Sequence, residues 1–172
     1  MASLAVEGET GESCRLSVLD PMCGSATILI ELAKHISQTL FTVGIDLSED
    51  QIAEAKANVT KSSEMDRVII IKADSTKKLP FDQRLFFDAV VCDLPFGIQH
   101  GTEESVRAEL PLVLENVNAV VKRNGNIVLL IGSKVGLFIE DFCSATLKWC
   151  LKDKYDIKLG ELPAAIYHYK LV

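Results

Sequence analysis

Leu16-Ser17-Val18-Leu19-Asp20-Pro21-Met22-Cys23-Gly24-Ser25-Ala26-Thr27 is the stretch that decides the fold. A short, mostly apolar run ends on an acid, a proline and a glycine follow at once, and Ile28, Leu32 and Ile36 then recur at helical spacing. Strand, tight turn and helix in so few residues open a βαβ unit.

The same pattern returns along the chain. Thr42 to Ile45, Val68 to Ile71, Ala89 to Cys92 and Ile127 to Ile131 are continuous apolar runs rich in β-branched residues, as parallel strands covered on both faces require. Ser48 with Gln51 forms a capping box ahead of Ile52, Ala55 and Val59, which predicts a crossover helix. Pro111, Leu114, Val117 and Val121 predict another helix, starting at the proline and ending on Asn124-Gly125 as a left-handed cap. Val135 to Trp149 reads as a further helix. Asp156 to Leu159 and Ala164 to Leu171, parted by Gly160-Glu161-Leu162-Pro163, read as an antiparallel hairpin closing the sheet.

At 172 residues, 48% hydrophobic and 24% charged, the chain is one globular domain rather than a disordered or fibrous segment. With 18 basic against 24 acidic residues its net charge is −6, the wrong sign for gripping a polyanion over the whole surface. Nucleic acid would have to be held locally or by another part. No apolar run approaches membrane-span length and no leader precedes the first strand, so an intracellular chain, cytoplasmic or nuclear, is expected. The cysteines are Cys14, Cys23, Cys92, Cys143 and Cys150. An odd number with no Cys-x-x-Cys pair suggests neither a disulfide framework nor a structural zinc site.

In an open parallel sheet, ligands bind at the carboxyl ends of strands where the strand order reverses. Asp20, Asp46, Asp74 and Asp93 stand at or just beyond four such ends. Each alone could be a turn former, but four in register mark a cofactor and substrate cleft. The turn after Asp20 has one glycine where a dinucleotide fingerprint has three, and lacks the lysine of a phosphate-binding loop. Asp46, at the second strand end, is where a ribose diol is held in such sheets. Asp93-Leu94-Pro95-Phe96-Gly97 places an acid and an aromatic around a proline. A turn that merely leaves the sheet explains the proline and glycine but not their neighbours. The Asp93 carboxylate and Leu94 carbonyl can face one amino group while Phe96 offers a ring face, machinery for a planar amine. His100 in the following loop could touch a nucleotide, although a lone loop histidine is more often solvated.

Asp20-Pro21-Met22-Cys23-Gly24-Ser25 together with Asp93-Leu94-Pro95-Phe96-Gly97 resembles the catalytic domain of the THUMP-associated class I RNA methyltransferases. The resemblance runs from about Leu16 to Val172, and Met1 to Ala5 resembles the end of the helix preceding the first strand. It implies an α/β class I methyltransferase sheet, Rossmann-like, of seven strands with the last antiparallel and helices on both faces. It implies methyl transfer from S-adenosylmethionine to the exocyclic N2 of a guanosine in structured RNA, tRNA or small nuclear RNA. Asp93, Leu94, Pro95 and Phe96 are then catalytic. Asp20, Met22, Cys23, Gly24, Ser25, Asp46, Leu47, Asp74, Ser75 and Asp93 then bind the cofactor, with Asp20 and Gly24 around its methionine end, Asp46 at the ribose and Asp74 near the adenine amine.

Ala26 departs from the second glycine usual in that family, and the RNA-gripping THUMP module is absent, so residues 1–172 read as one domain of something longer. The family's eukaryotic members also imply a small zinc-binding activator subunit adding a strand at the edge Val68 to Ile71, or a homodimer in its place. Two alternatives stay open: a same-fold enzyme acting on adenine N6 or a protein amide, and a non-catalytic methyltransferase-like subunit that only binds.

Overall fold

Alternate residues of one strand show how the sheet is clothed. In Phe87–Asp93, Ala89 and Val91 pack on one side of the sheet while Val90 and Cys92 pack on the other, and all four are buried. The computed structural model describes residues 1–5, 15–36, 39–81, 86–94, 103–147 and 149–172. Its elements in chain order are α1 (Ala2–Ala5), β1 (Arg15–Asp20), α2 (Thr27–His35), β2 (Thr39–Asp46), α3 (Glu49–Lys61), β3 (Val68–Lys72), β4 (Phe87–Asp93), α4 (Glu103–Asn118), β5 (Val121–Gly132), α5 (Ser133–Ala145), β6 (Trp149–Leu159) and β7 (Leu162–Leu171).

The described residues form a seven-stranded sheet in the order β3-β2-β1-β4-β5-β7-β6. β3, β2, β1, β4 and β5 are parallel, and β7 runs antiparallel to both β5 and β6. This is the mixed, doubly wound sheet that the sequence predicts. Leu29, Leu32 and Ala33 of α2 and Ala55 and Val59 of α3 cover one face; Val106, Leu110, Val113, Leu114 and Val117 of α4 with Val135, Ile139 and Cys143 of α5 cover the other. Each buried Val, Leu or Ile among them contributes about 1.5–3 kcal/mol.

At the amino edge of the sheet, Asp88 ties three strands together. Its carboxylate accepts from the Ser17 amide at 2.8 Å, the Ser17 hydroxyl at 2.7 Å and the Lys122 ammonium at 2.6 Å. Burial pushes the Asp88 carboxyl up, but Lys122 and Ser17 outweigh it and hold the group below its ordinary value.

Three sequence expectations are corrected. Pro111 lies inside α4 rather than at its start, because Val106 and Leu110 carry the buried stripe back beyond it and their burial outweighs one lost backbone hydrogen bond. Val121 and Asn124-Gly125 belong to β5. Asn124 is left-handed, at φ 62, but within a β-bulge opposite Asp88 rather than at a helix cap. A Cβ at Gly125 would come within 2.9 Å of the Asp88 carbonyl. Trp149 opens β6 instead of closing α5. It is buried against Tyr169, and its indole N–H donates to Asn118 at 2.7 Å, an acceptor that a buried indole needs. The hairpin is as expected but longer, turning on Gly160 at φ 61 and Glu161.

Candidate active site

The strand order reverses between β1 and β4, and the residues at their carboxyl ends are Asp20 and Asp93. Asp46 ends the neighbouring β2. The structure therefore gathers three of the four anticipated acids at the topological switch point, where open α/β sheets hold their ligands.

The turn between β1 and α2 is fastened from several sides. The Cys23 amide donates to the Ile45 carbonyl at 2.8 Å, and the Ala26 amide to the Cys23 carbonyl at 2.8 Å. The Asn58 amide group holds the Ser25 carbonyl at 3.1 Å, and the Ser25 and Thr27 hydroxyls are 3.1 Å apart. Gly24 takes φ 50, and a Cβ there would meet Gln51 Oε1 at 3.3 Å. Ala26, wholly buried as the residue before α2, sits at φ 64 without a side-chain cap. A glycine at this position would adopt that conformation without the cost that a Cβ brings.

Asp46 is locked by two backbone donors, the Gly24 amide at 2.9 Å on one oxygen and the Ser48 amide at 2.9 Å on the other. Because each carboxylate oxygen has two acceptor positions, one on each remains. The capping box is thus half of what the sequence suggests: the Ser48 hydroxyl accepts from the Gln51 amide at 3.4 Å, while the Ser48 amide goes to Asp46. Leu47, next along, is 63% exposed, an apolar surface at the rim.

Asp20 differs sharply from Asp46. It is 1% exposed and accepts from the Met22 amide at 3.1 Å. Burial, then the nearby Asp93 and Asp46 carboxylates, push its carboxyl up to about 7 against the Met22 bond and the Cys92 thiol. Asp93 stands exposed at the rim, and partial desolvation raises it also. The Leu94 side chain is fully buried, and its amide donates to the Leu130 carbonyl at 3.0 Å, which pins the chain where it leaves the sheet. Pro95, Phe96 and His100 lie outside the described residues.

Asp74 is not drawn into the cluster. It follows β3 and accepts from the Thr76 amide and hydroxyl at 3.0 and 2.6 Å, with Lys77 at 3.1 Å, contacts that hold it below its ordinary value. Its neighbour Ser75 is buried and donates to the Pro21 carbonyl at 2.6 Å, coupling this loop to the first turn. Cys23 and Cys92 are free and buried, and desolvation raises both thiols, so they pack rather than react. His35 is exposed beside Glu31, and His168 is buried between Asp153 and Asn126, away from the strand-end acids. No helix among the described residues is long and apolar enough to cross a membrane.

One residue and one contact escaped the sequence reading. Gly44, inside β2, leaves room for the first turn, since a Cβ there would lie 2.8 Å from Cys23 Sγ and 2.9 Å from Leu29 Cδ1. A glycine interrupting an apolar strand is the available signal for such close approach. Gln51 lies beside Gly24, and nothing in its spacing distinguishes that role from capping. A separate groove of about 530 Å³ between α5 and the β6–β7 hairpin is lined by Ser133, Leu137, Lys154, Asp156 and Tyr167. It includes none of the strand-end acids.

Residues 9–149 match the UPF0020 family, described as an RMKL-like methyltransferase domain. The U6 snRNA (guanine-N(2))-methyltransferase THUMPD2 of Mus musculus is 32% identical over 114 residues, 66% of this chain and 20% of that protein. The tRNA (guanine(10)-N2)-dimethyltransferase of Methanocaldococcus jannaschii is 32% identical over 127 residues, 72% of this chain and 34% of that protein. This chain therefore spans only a fifth to a third of these relatives. Among solved structures, TrmN from Thermus thermophilus superposes with a TM-score of 0.76 at 20% identity, over 92% of this chain and 45% of that one, which establishes likeness of fold.

Proposed function

We propose that this chain, which belongs to the UPF0020 family of RMKL-like methyltransferase domains, transfers a methyl group from S-adenosylmethionine to the exocyclic N2 of a guanosine in a structured RNA, a tRNA or a small nuclear RNA. The observation that carries the reading is the meeting of Asp20, Asp46 and Asp93 at the reversal of strand order.

The donor set suits the cofactor. Its cationic end calls for acids and open backbone, supplied by Asp20, Asp93 and the turn Met22, Cys23, Gly24 and Ser25. Its ribose diol calls for a fixed carboxylate with acceptor positions left over, which Asp46 retains after Gly24 and Ser48 are bonded. Leu47 offers apolar surface, and Asp74 with Ser75 borders the adenine. When bound, S-adenosylmethionine supplies a methyl group on a positively charged sulfur.

A guanine N2 amine is a weak nucleophile because its lone pair is delocalised into the ring. Holding its hydrogens localises that pair, and two acceptors are required. The Asp93 carboxylate and the Leu94 carbonyl are those acceptors, Pro95 fixes the carbonyl, and Phe96 stacks on the base for about 1–3 kcal/mol. The bond from the Leu94 amide to Leu130 keeps the start of this loop from drifting, which positioning catalysis demands. The raised affinity of Asp93 for a proton suits it to accept the one the amine loses after transfer.

The chain serves as the methyltransferase domain of a longer protein whose THUMP module grips the RNA, in keeping with a net charge of −6. β3 is an outer strand with Ile69 44% exposed, and a small zinc-binding activator subunit adds its own strand there. Co-elution of the two on size exclusion after co-expression supports that partner, and separate elution rejects it. For the cofactor site, Asp46→Ala weakens S-adenosylmethionine binding about tenfold or more by calorimetry, from the loss of charged hydrogen bonds to the diol. Unchanged affinity would refute the assignment.

A further inference from the structure

Asp20 carries more than a cofactor contact. It is an almost wholly enclosed carboxyl to which the described structure gives no basic partner. The groups that bear on it come from three elements: the Met22 amide in its own turn, Asp46 of β2, and Asp93 and Cys92 of β4. Cys23 in the same turn feels the Asp20 and Asp46 charges in return. Two of these neighbours are acids, one is a neutral thiol, and only one conventional hydrogen bond favours the anion. An enclosed group among like charges keeps its proton unless a positive charge arrives to offset them.

We propose that Asp20 is the residue by which the cleft tells the methyl donor from its product, holding a proton while the cleft is empty and releasing it to solvent when the sulfonium cation enters. This rests on the S-adenosylmethionine reading of the site and adds a basis for its selectivity. The donor and the product S-adenosylhomocysteine share an ammonium, a ribose and an adenine, and differ at sulfur, which is positive in the donor and neutral in the product. An anionic Asp20 rewards that one charge. After methyl transfer the sulfur charge is gone and only the shared ammonium remains, so Asp20 is less strongly held as the anion, takes up a proton from solvent more readily, and the product is held less tightly. The raised carboxyl, about 7, puts this exchange near neutrality.

The test is calorimetric titration of the intact chain with each ligand between about pH 6 and about pH 8, in buffers of different ionisation enthalpy. The ammonium titrates alike in both ligands, so the ratio of their dissociation constants isolates the sulfur charge. Preference for S-adenosylmethionine should rise several-fold, up to about tenfold, across this range, with net proton release on binding the donor at the acid end. Asp20→Asn should flatten that ratio while retaining the acceptor for Met22, and Asp93→Asn, which removes one of the two like charges, should shift the rise to lower pH without abolishing it. A flat ratio without proton release in the parent overturns this inference alone. So does loss of the effect in Asp93→Asn but not in Asp20→Asn. Absence of binding by either ligand at every pH overturns the cofactor reading and this inference together.

Discussion

Asp88 and Asp20 occupy opposite edges of the same sheet, and their surroundings are opposite too. At the amino edge Asp88 receives two bonds from Ser17 and a lysine charge from Lys122, so it is an anion that joins β1, β4 and β5. At the carboxyl edge Asp20 is more deeply buried, faces acids instead of a lysine, and is destabilised as an anion. A carboxylate that only holds strands together is completed by its own chain. One left incomplete among like charges is a cost to folding, which proteins tolerate where a ligand will offset it.

The sharpest way to separate the two edges is to remove an acid from each. Asp93→Ala, at the carboxyl edge, should lower the methylation rate about 10²–10⁴-fold, a loss far larger than any accompanying loss of cofactor affinity. The assay belongs in the longer protein proposed above, with its proposed RNA-holding region and activator subunit. A variant keeping more than about a tenth of parental turnover would take Asp93 out of the mechanism. Asp88→Ala should instead cost about 1–3 kcal/mol of stability by leaving the Ser17 amide without its acceptor and removing the partner of Lys122. Chemical denaturation measures this, and cofactor affinity at saturating fold should not move.

The contrast also has a pH signature. Asp20 holds its proton more tightly in the folded chain, about 7 against an ordinary 3.8, so between those values the folded state binds more protons than the unfolded one. Stability should then fall as pH rises through that window, by on the order of 4 kcal/mol from its acid to its alkaline end. Asp88, held low, contributes in the opposite sense and loses its contribution only as pH falls. Denaturation midpoints of the parent and Asp20→Asn across this range should converge at the acid end and favour the variant at the alkaline end. Parallel curves would show that Asp20 is not the titrating group.

The smallest effect concerns Ala26. Ala26→Gly relieves a left-handed conformation costing about 1–2 kcal/mol but removes a buried methyl worth about 0.8 kcal/mol. The net change should be a stabilisation of no more than about 1 kcal/mol, read from thermal melting. A loss of several kcal/mol would mean that the methyl packs more tightly than its place before α2 implies.

What the sequence disclosed and what it withheld divide along physical lines. Parallel strands were readable because residues such as Val90 and Val91 must both be apolar when both faces are covered, and the strand-end acids followed from them. The element ends were harder. Pro111 is a strong local signal for a helix start, yet the stripe from Val106 to Val117 overrides it. Asn124-Gly125 does announce a left-handed residue, but a β-bulge and a helix cap use the same chemistry. Trp149 fits either period until its indole finds Asn118, 31 positions away. At the site, the identities of Asp20, Asp46 and Asp93 were visible; the difference between a locked Asp46 and an enclosed Asp20 was not. That difference depends on which backbone amides reach each carboxylate, and spacing alone does not encode it.

We propose that the cleft at the β1–β4 switch point methylates guanosine N2. Incubating RNA and methyl-labelled S-adenosylmethionine with the longer protein carrying the proposed RNA-holding region, digesting the RNA and identifying the labelled nucleoside decides the matter. N2-methylguanosine, lost in Asp93→Ala, is the expected product. Label in N6-methyladenosine, or none in RNA from a cofactor-binding protein, would contradict that proposal.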